Sequence, residues 1–167
     1  DPLVYFRWRR YRKYSTGIVG DLLVHQMTPL MVALDQGWPT RVVASGGHYI
    51  DKAMDNFDQV NLTTQFEKGH TMVVWGSTCN ANGPAPLIRG HKANLQLSGN
   101  NCRLVPENLY AEDIDAEDFK SKGSNHDLLR LDFLKAARTR GPVLSPVDWG
   151  LKVMIVVDLA ARSMWEG

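Results

Sequence analysis

Residues 57–75 read FDQVNLTTQFEKGHTMVVW, and their reading decides the fold. From Asp58 to Phe66 the residues alternate. Val60, Leu62, Thr64 and Phe66 fall on one side, Asn61, Thr63 and Gln65 on the other. A period of two is that of a strand buried on one face only, which an antiparallel sheet permits. Lys68-Gly69 supplies a tight turn into a second run, Thr71–Cys79, so the pair predicts a hairpin. The second run is less one-sided. Met72, Val74 and Thr78 share one face; Val73, Trp75 and Cys79 share the other. Apolar groups on both faces need cover on both, so the Trp75 face is either ordinary core or a face covered by another subunit.

Working toward the N-terminus, Arg41–Tyr49 reads as a further strand, in which Gly46-Gly47 marks a bulge or a close backbone approach. Ile50–Asn56 is a loop. Residues 16–34, TGIVGDLLVHQMTPLMVAL, predict one helix, capped by Ser15 or Thr16 and closed by Gly37-Trp38-Pro39. Tyr5–Arg10 is expected as a short strand. Working the other way, Asn80–Pro86 is a loop, and strands follow at Leu87–Arg89, Ala93–Leu97 and Arg103–Val105. Glu112–Ser124 is expected as an exposed connection. Asn125 caps a helix that carries Leu128, Leu131 and Leu134 on one stripe, with Leu129 and Phe133 beside it. For the last helix, Ser145 is the expected N-cap, Pro146 the first helical residue and Asp148 the partner in a capping box. Asp148/Lys152 and Asp158/Arg162 are candidate ion pairs four apart on it. The order predicts an α+β fold, a mostly antiparallel open sheet with helices packed on one face.

A chain of 167 residues fits one domain. Lys plus Arg number 19 against 18 Asp plus Glu, a balance that argues against generic nucleic-acid binding. The local exception is the start, where Arg7, Arg9, Arg10, Arg12 and Lys13 interleave with Tyr5, Phe6, Trp8, Tyr11 and Tyr14. No apolar run approaches the roughly 18 residues of a membrane span, so no membrane partner is expected. Cys79 and Cys102 form no CxxC pair and are expected as small buried groups. The five histidines stand singly, without metal-ligand spacing, and no metal is expected. Asn61-Leu62-Thr63 matches a glycosylation sequon by chance, inside a predicted strand. The opening on Asp1-Pro2 without methionine suggests a fragment or a processed product. Cytoplasm is the expected compartment, or periplasm if an export signal lies upstream.

The chemistry-bearing residues lie on the first helix. Asp21 and His25 are four apart and share a face of a regular helix. A carboxylate there can orient an imidazole and tune its charge; the alternatives are a surface ion pair or a satisfied buried histidine. Pro29 cannot donate to the carbonyl four residues back, that of His25. The freed carbonyl either receives a ligand or marks a kink.

Beyond single residues, RWRRYRKYSTGIVGDLLVH resembles a segment of the Gfo/Idh/MocA oxidoreductases (glucose–fructose oxidoreductase, inositol dehydrogenase and relatives). There a basic, aromatic stretch leads into a helix bearing Asp-x-x-x-His. GWPTRVVASGG, FDQVNLTTQFEKGHTMVVW, IRGHKANLQL and SPVDWGLKVMIVVDLAARSMWEG are similar to the family's next strand, its hairpin, a later strand and its closing helix. The resemblance runs from Tyr5 to Gly167. Thr28, Ser15-Thr16-Gly17 and Ala93 depart from the family pattern, at an acidic position, a glycine pair and a turn glycine.

The resemblance implies a dihydrodipicolinate-reductase-like C-terminal domain over residues 1–167, for substrate binding and oligomerisation. The family's N-terminal Rossmann domain is not in the chain. No G-x-G-x-x-G is present: Gly46-Gly47 lies in a strand and Gly17-Ile18-Val19-Gly20 has the wrong spacing. The family's Glu-Lys-Pro lysine belongs to that other domain, and Glu67-Lys68, followed by Gly69, is not its counterpart. Implied with the family are NAD or NADP, held mainly by the missing domain, and hydride transfer at a sugar or cyclitol hydroxyl. His25 would be the general acid/base, set by Asp21. Arg9, Arg7, Tyr11, Asn80 and His91 are the candidate substrate-binding residues. The implied partners are a sugar-like substrate, the chain's own Rossmann domain and a second copy bound through the sheet. By itself the chain is expected to be inactive. Two alternatives stay open: NAD-dependent redox-neutral glycoside cleavage, and a non-catalytic oligomerisation module.

Overall fold

In a computed structural model, which describes residues 1–121 and 126–167, the chain divides into two compact units. The first comprises residues 1–83 and 145–167. Its sheet is the predicted hairpin, β2 (Gln59–Phe66) and β3 (Thr71–Ser77), with β1 (Pro39–Gly47) added on the outer side of β2. All pairings are antiparallel, and Thr63 sits opposite both Val43 and Val73. Gly69 closes the hairpin at φ +82°, a left-handed conformation that glycine adopts without strain. Burial follows the period of two: Val60, Leu62, Thr64 and Phe66 are buried.

Two helices cover that buried face. Where one regular helix is expected, the chain forms a π turn, Val19–Leu23, running into α2 (Val24–Leu34). The closing helix, α4 (Val147–Glu166), packs against β1 and α2. The core is built from Val19, Leu23, Met27 and Met31 of the first helix, Val60, Leu62, Met72 and Val74 of the sheet, and Val156, Val157 and Ala160 of α4. Removing such apolar surface from water is the main favourable contribution to folding. Asp35 ends α2 in the left-handed region, φ 41°, with its N–H on the Met31 carbonyl. Lys68 donates to Asp35 at 2.9 Å, and Glu67 accepts the Trp38 N–H at 2.8 Å. Glu67-Lys68 thus ties the helix end to the hairpin turn. The Lys68 hydrogen bond and charge hold the Asp35 carboxyl below its usual range.

Several local expectations change. Tyr5–Arg10 is not a strand: α1 spans Pro2–Arg7 and a single 3₁₀ turn follows at Trp8–Arg10. Asp1 caps α1 by accepting the Leu3 N–H at 2.8 Å, and Pro2 suits a first helical turn. Alternation makes a strand only where a sheet edge receives it, and no residue of α1 is buried. At the start of α4 the cap position is Pro146, with no side-chain cap, so Ser145 and Asp148 form no capping box. Asp158–Arg162 pairs at 3.0 Å. Lys152 instead lies over the Trp149 ring, 4.4 Å from its centroid, with Asp35 at 3.9 Å.

The second unit, residues 84–144, is an antiparallel meander plus one helix. Its strands are β4 (Leu87–Arg89), β5 (Ala93–Ser98), β6 (Asn101–Pro106) and β7 (Glu117–Phe119), in that order across the sheet. β7 falls in the stretch expected as an open connection; short and exposed, it pairs with β6 through Cys102–Leu104. The helix α3 spans His126–Thr139, and the expected cap Asn125 lies outside the described residues. Its stripe of Leu128, Leu131 and Leu134 is exposed, and Ala136 is its buried residue. Neither cysteine is a buried group: Cys79 is exposed and Cys102 half-buried. No helix among the described residues is long and apolar enough to cross a membrane.

Candidate active site

The site lies in the first unit and begins with the π turn. There the Val24 N–H reaches the Val19 carbonyl, five residues back. This wider turn means that Asp21 and His25 are less than one turn apart, and π turns recur at functional sites. Asp21 does not take His25 as its partner. Its Oδ1 accepts Arg9 Nε at 2.7 Å, and the Arg9 guanidinium also lies over the Trp8 ring, 4.4 Å from its centroid. His25, in the first turn of α2, is exposed and forms no hydrogen bond or ion pair among the described residues. Pro29 lies inside α2, which leaves the His25 carbonyl without its usual helical donor. At the residue just before Pro29, the Thr28 hydroxyl donates to the Val24 carbonyl at 2.6 Å.

Arg9 is placed by a chain of contacts that starts in the core. Asp58, at the head of β2, is 1% exposed, and its carboxylate accepts the N–H groups of Tyr49, Ile50 and Asp51 at 2.7–3.1 Å. Burial alone would raise its pKa. The three backbone donors, helped by Cys79, outweigh that and lower it to about 2. The loop so fixed carries Asp51, which pairs with Arg10 at 2.6 Å. It also leads to buried Asn56, whose Nδ2 donates to the carbonyls of Arg9 (3.0 Å) and Ser15 (3.2 Å). The N–H groups of Asp55 and Asn56 both reach the Arg10 carbonyl. Gly17 completes the join at φ +66°; a Cβ there would lie 2.9 Å from that of Asn56. The basic segment is therefore not a strand of the sheet, yet it is stapled to the loop before β2 by side chains and backbone N–H groups together.

Between this segment and the π turn lies a wide-open, shallow cleft of about 420 Å³. Trp8, Arg12, Lys13, Tyr14 and Asp21 line it. Of the other candidates, Arg7 ends α1 and is exposed. Tyr11 is half-buried, and its carbonyl accepts the N–H groups of Tyr14 and Ser15 in a turn. Asn80 accepts the Asn82 N–H at 2.8 Å in an exposed loop. His91 belongs to the second unit, with Nε2 2.9 Å from the Tyr110 hydroxyl. Of the expected site residues, Arg9 and Asp21 are thus brought together by the fold, although the pairing expected for Asp21 is with His25. Sequence reasoning missed Asp58, Asn56 and Asp51, because their partners are backbone groups or a residue 41 positions away.

Gly20, Gly46 and Gly47 do not form a dinucleotide cradle. A Cβ at Gly20 would meet Thr16, at Gly46 Phe57, and at Gly47 Tyr49, so each glycine accommodates a neighbouring side chain rather than a pyrophosphate.

The family model for the C-terminal alpha/beta domain of the GFO_IDH_MocA oxidoreductases matches residues 1–167. The chain belongs to the Gfo/Idh/MocA family. As a Gfo/Idh/MocA C-terminal domain it is similar in fold to several solved structures. One is an inositol dehydrogenase homologue from Azotobacter vinelandii, complexed with NADH and myo-inositol: 18% identity, TM-score 0.72, covering 100% of this chain and 52% of that one. Another is a UDP-N-acetylglucosamine 3-dehydrogenase from Acidithiobacillus ferrooxidans: 18% identity, TM-score 0.70, covering 88% and 47%. A third is an NAD-binding oxidoreductase from Klebsiella pneumoniae: 19% identity, TM-score 0.73, covering 94% and 51%. The Gfo/Idh/MocA chain described here therefore spans about half the length of the structures it matches. No curated protein matches it.

Proposed function

We propose that the chain is the substrate domain of an NAD(P)-dependent oxidoreductase acting on a sugar or cyclitol hydroxyl, with an N-terminal Rossmann domain supplying the cofactor site. The observation that carries this reading is local. In a family of oxidoreductases, the chain places an exposed imidazole, His25, just after a π turn whose acid, Asp21, already has a cationic partner. In this reading a nicotinamide takes the hydride, and the residues described here do not cradle it. Their part is the proton. His25 removes the proton from the substrate hydroxyl during oxidation and returns it in the reverse direction. An imidazole suits this because its ordinary pKa, about 6.5, lies near neutrality. Asp21 acts with Arg9 as one unit that fixes the wall beside His25 and offers hydrogen-bonding groups to sugar hydroxyls. Mixing the full-length protein with NAD(P) and a panel of sugars and cyclitols tests the reading, and absence of cofactor reduction with all of them would reject it.

A second copy of the chain is the proposed occupant of the outer sheet face. Val43, Val73 and Trp75 stand opposite the core, 50%, 64% and 47% exposed, and Thr63 joins the two valines across the strands. Contiguous apolar surface of this kind marks interaction sites. Trp75→Glu is expected to convert an oligomer of the full-length protein into a smaller species by sedimentation; an unchanged mass would remove the face from the interface.

A further inference from the structure

The cleft beside Asp21 has a charge pattern that a neutral sugar does not need. Asp21, its lining carboxylate, is already neutralised by Arg9 at 2.7 Å. Arg12 and Lys13 also line it, and among the described residues neither has a carboxylate partner. Arg12 is held in place all the same. Its guanidinium lies over the Trp165 ring, 4.4 Å from the centroid, and Trp165 is stacked on Phe57 with centroids 4.0 Å apart. A guanidinium braced on an aromatic face keeps its N–H edge free and needs little further ordering to meet an oxyanion. Trp8, 40% exposed, lines the same cleft; Arg9 covers one face of its ring, and the other is the face against which a sugar ring would stack.

We infer that the substrate is an anionic sugar, whose carboxylate or phosphate group is received by Arg12 and Lys13 while its ring lies against Trp8. This rests on the sugar-oxidoreductase reading above and names the class of substrate for that site. Arg12, held on Trp165, and the exposed Lys13 beside one neutralised acid leave a local excess of positive charge. A hydrogen-bonded pair formed with an oxyanion is stronger than one formed with a neutral hydroxyl.

The test uses the full-length protein and three probes of matched ring: glucose, glucuronate and glucose 6-phosphate, each titrated by calorimetry in the presence and absence of cofactor. At least one anionic probe is expected to bind about tenfold or more tightly than glucose, with affinity falling as salt is raised. Which anion binds tells carboxylate from phosphate. Arg12→Gln and Lys13→Gln are each expected to weaken the anionic probe about tenfold, and to weaken it more than they weaken glucose. Equal binding of all three, no binding of either anion, or insensitivity to both substitutions would overturn the inference. So would a loss confined to NAD(P) affinity, which would assign the two cations to the cofactor phosphates. These readouts are binding, so they are separable from the oxidoreductase reading, whose failure shows as absent turnover with every sugar.

Discussion

His25→Ala in the full-length protein is expected to lower kcat about 10²–10⁴-fold, the usual contribution of a positioned general acid/base. The effect should fall on kcat more than on KM, because the proton moves only as the hydride does. The exposure of His25 makes the experiment clean: no buried contact is lost, so far-UV circular dichroism and thermal stability should match the parent protein. Asp21→Asn should act differently. It removes the acceptor of Arg9 rather than the proton carrier, so it should raise KM and weaken turnover by less. Full turnover in His25→Ala would assign the proton step to another residue.

Asp58→Ala is the second large effect. It removes one buried carboxylate and leaves three backbone N–H groups without an acceptor. A buried polar group left unsatisfied costs about 1–3 kcal/mol, so a loss of about 3 kcal/mol or more is expected in denaturant unfolding. The damage should also travel. Residues 49–51 would loosen, then the Asp51–Arg10 pair, then the segment that presents Arg9 to Asp21. Substrate affinity should therefore drop even though Asp58 touches no ligand. The pH dependence has a definite sign. The folded-state pKa is about 2 against an ordinary 3.8. The contribution is therefore complete above the ordinary value and is lost as pH falls from there through the folded value. Asp58→Asn keeps one acceptor oxygen and cannot titrate, so it should be less destabilising than Asp58→Ala and should flatten the acid limb. An unaltered acid limb would show that Asp58 does not govern this loop.

The parts of the fold legible from sequence are those fixed by short-range periodicity. Gln59–Phe66 alternates because each side chain is committed to one face of a sheet, and a one-residue slip would expose Val60, Leu62 and Phe66 together. The basic segment departs from the expected strand for the complementary reason. Arginine and aromatic residues alternate there, but Asp1 and Pro2 begin a helix, and the chain then turns onto the loop rather than onto a strand. The leucines of α3 show the same limit: the helical stripe is correct as a pattern, yet it is exposed.

The site divides along the same line. Family, fold class and the candidacy of Asp21 and His25 follow from the sequence by itself, because strand alternation, the order of the elements and a resemblance running along the chain carry the first two, and the spacing on one helix the third. The tertiary structure alone decided that Asp21 lies in a π turn just before His25, that Asp21 pairs with Arg9, and that Asp58 and Asn56 hold Arg9 where it meets Asp21. Those contacts join positions 7 to 47 residues apart, and apart from the Arg9–Asp21 pair they run to backbone carbonyls and N–H groups that almost every residue possesses. Such groups leave no trace in composition or spacing; they become specific only when folding brings a particular side chain within hydrogen-bonding distance.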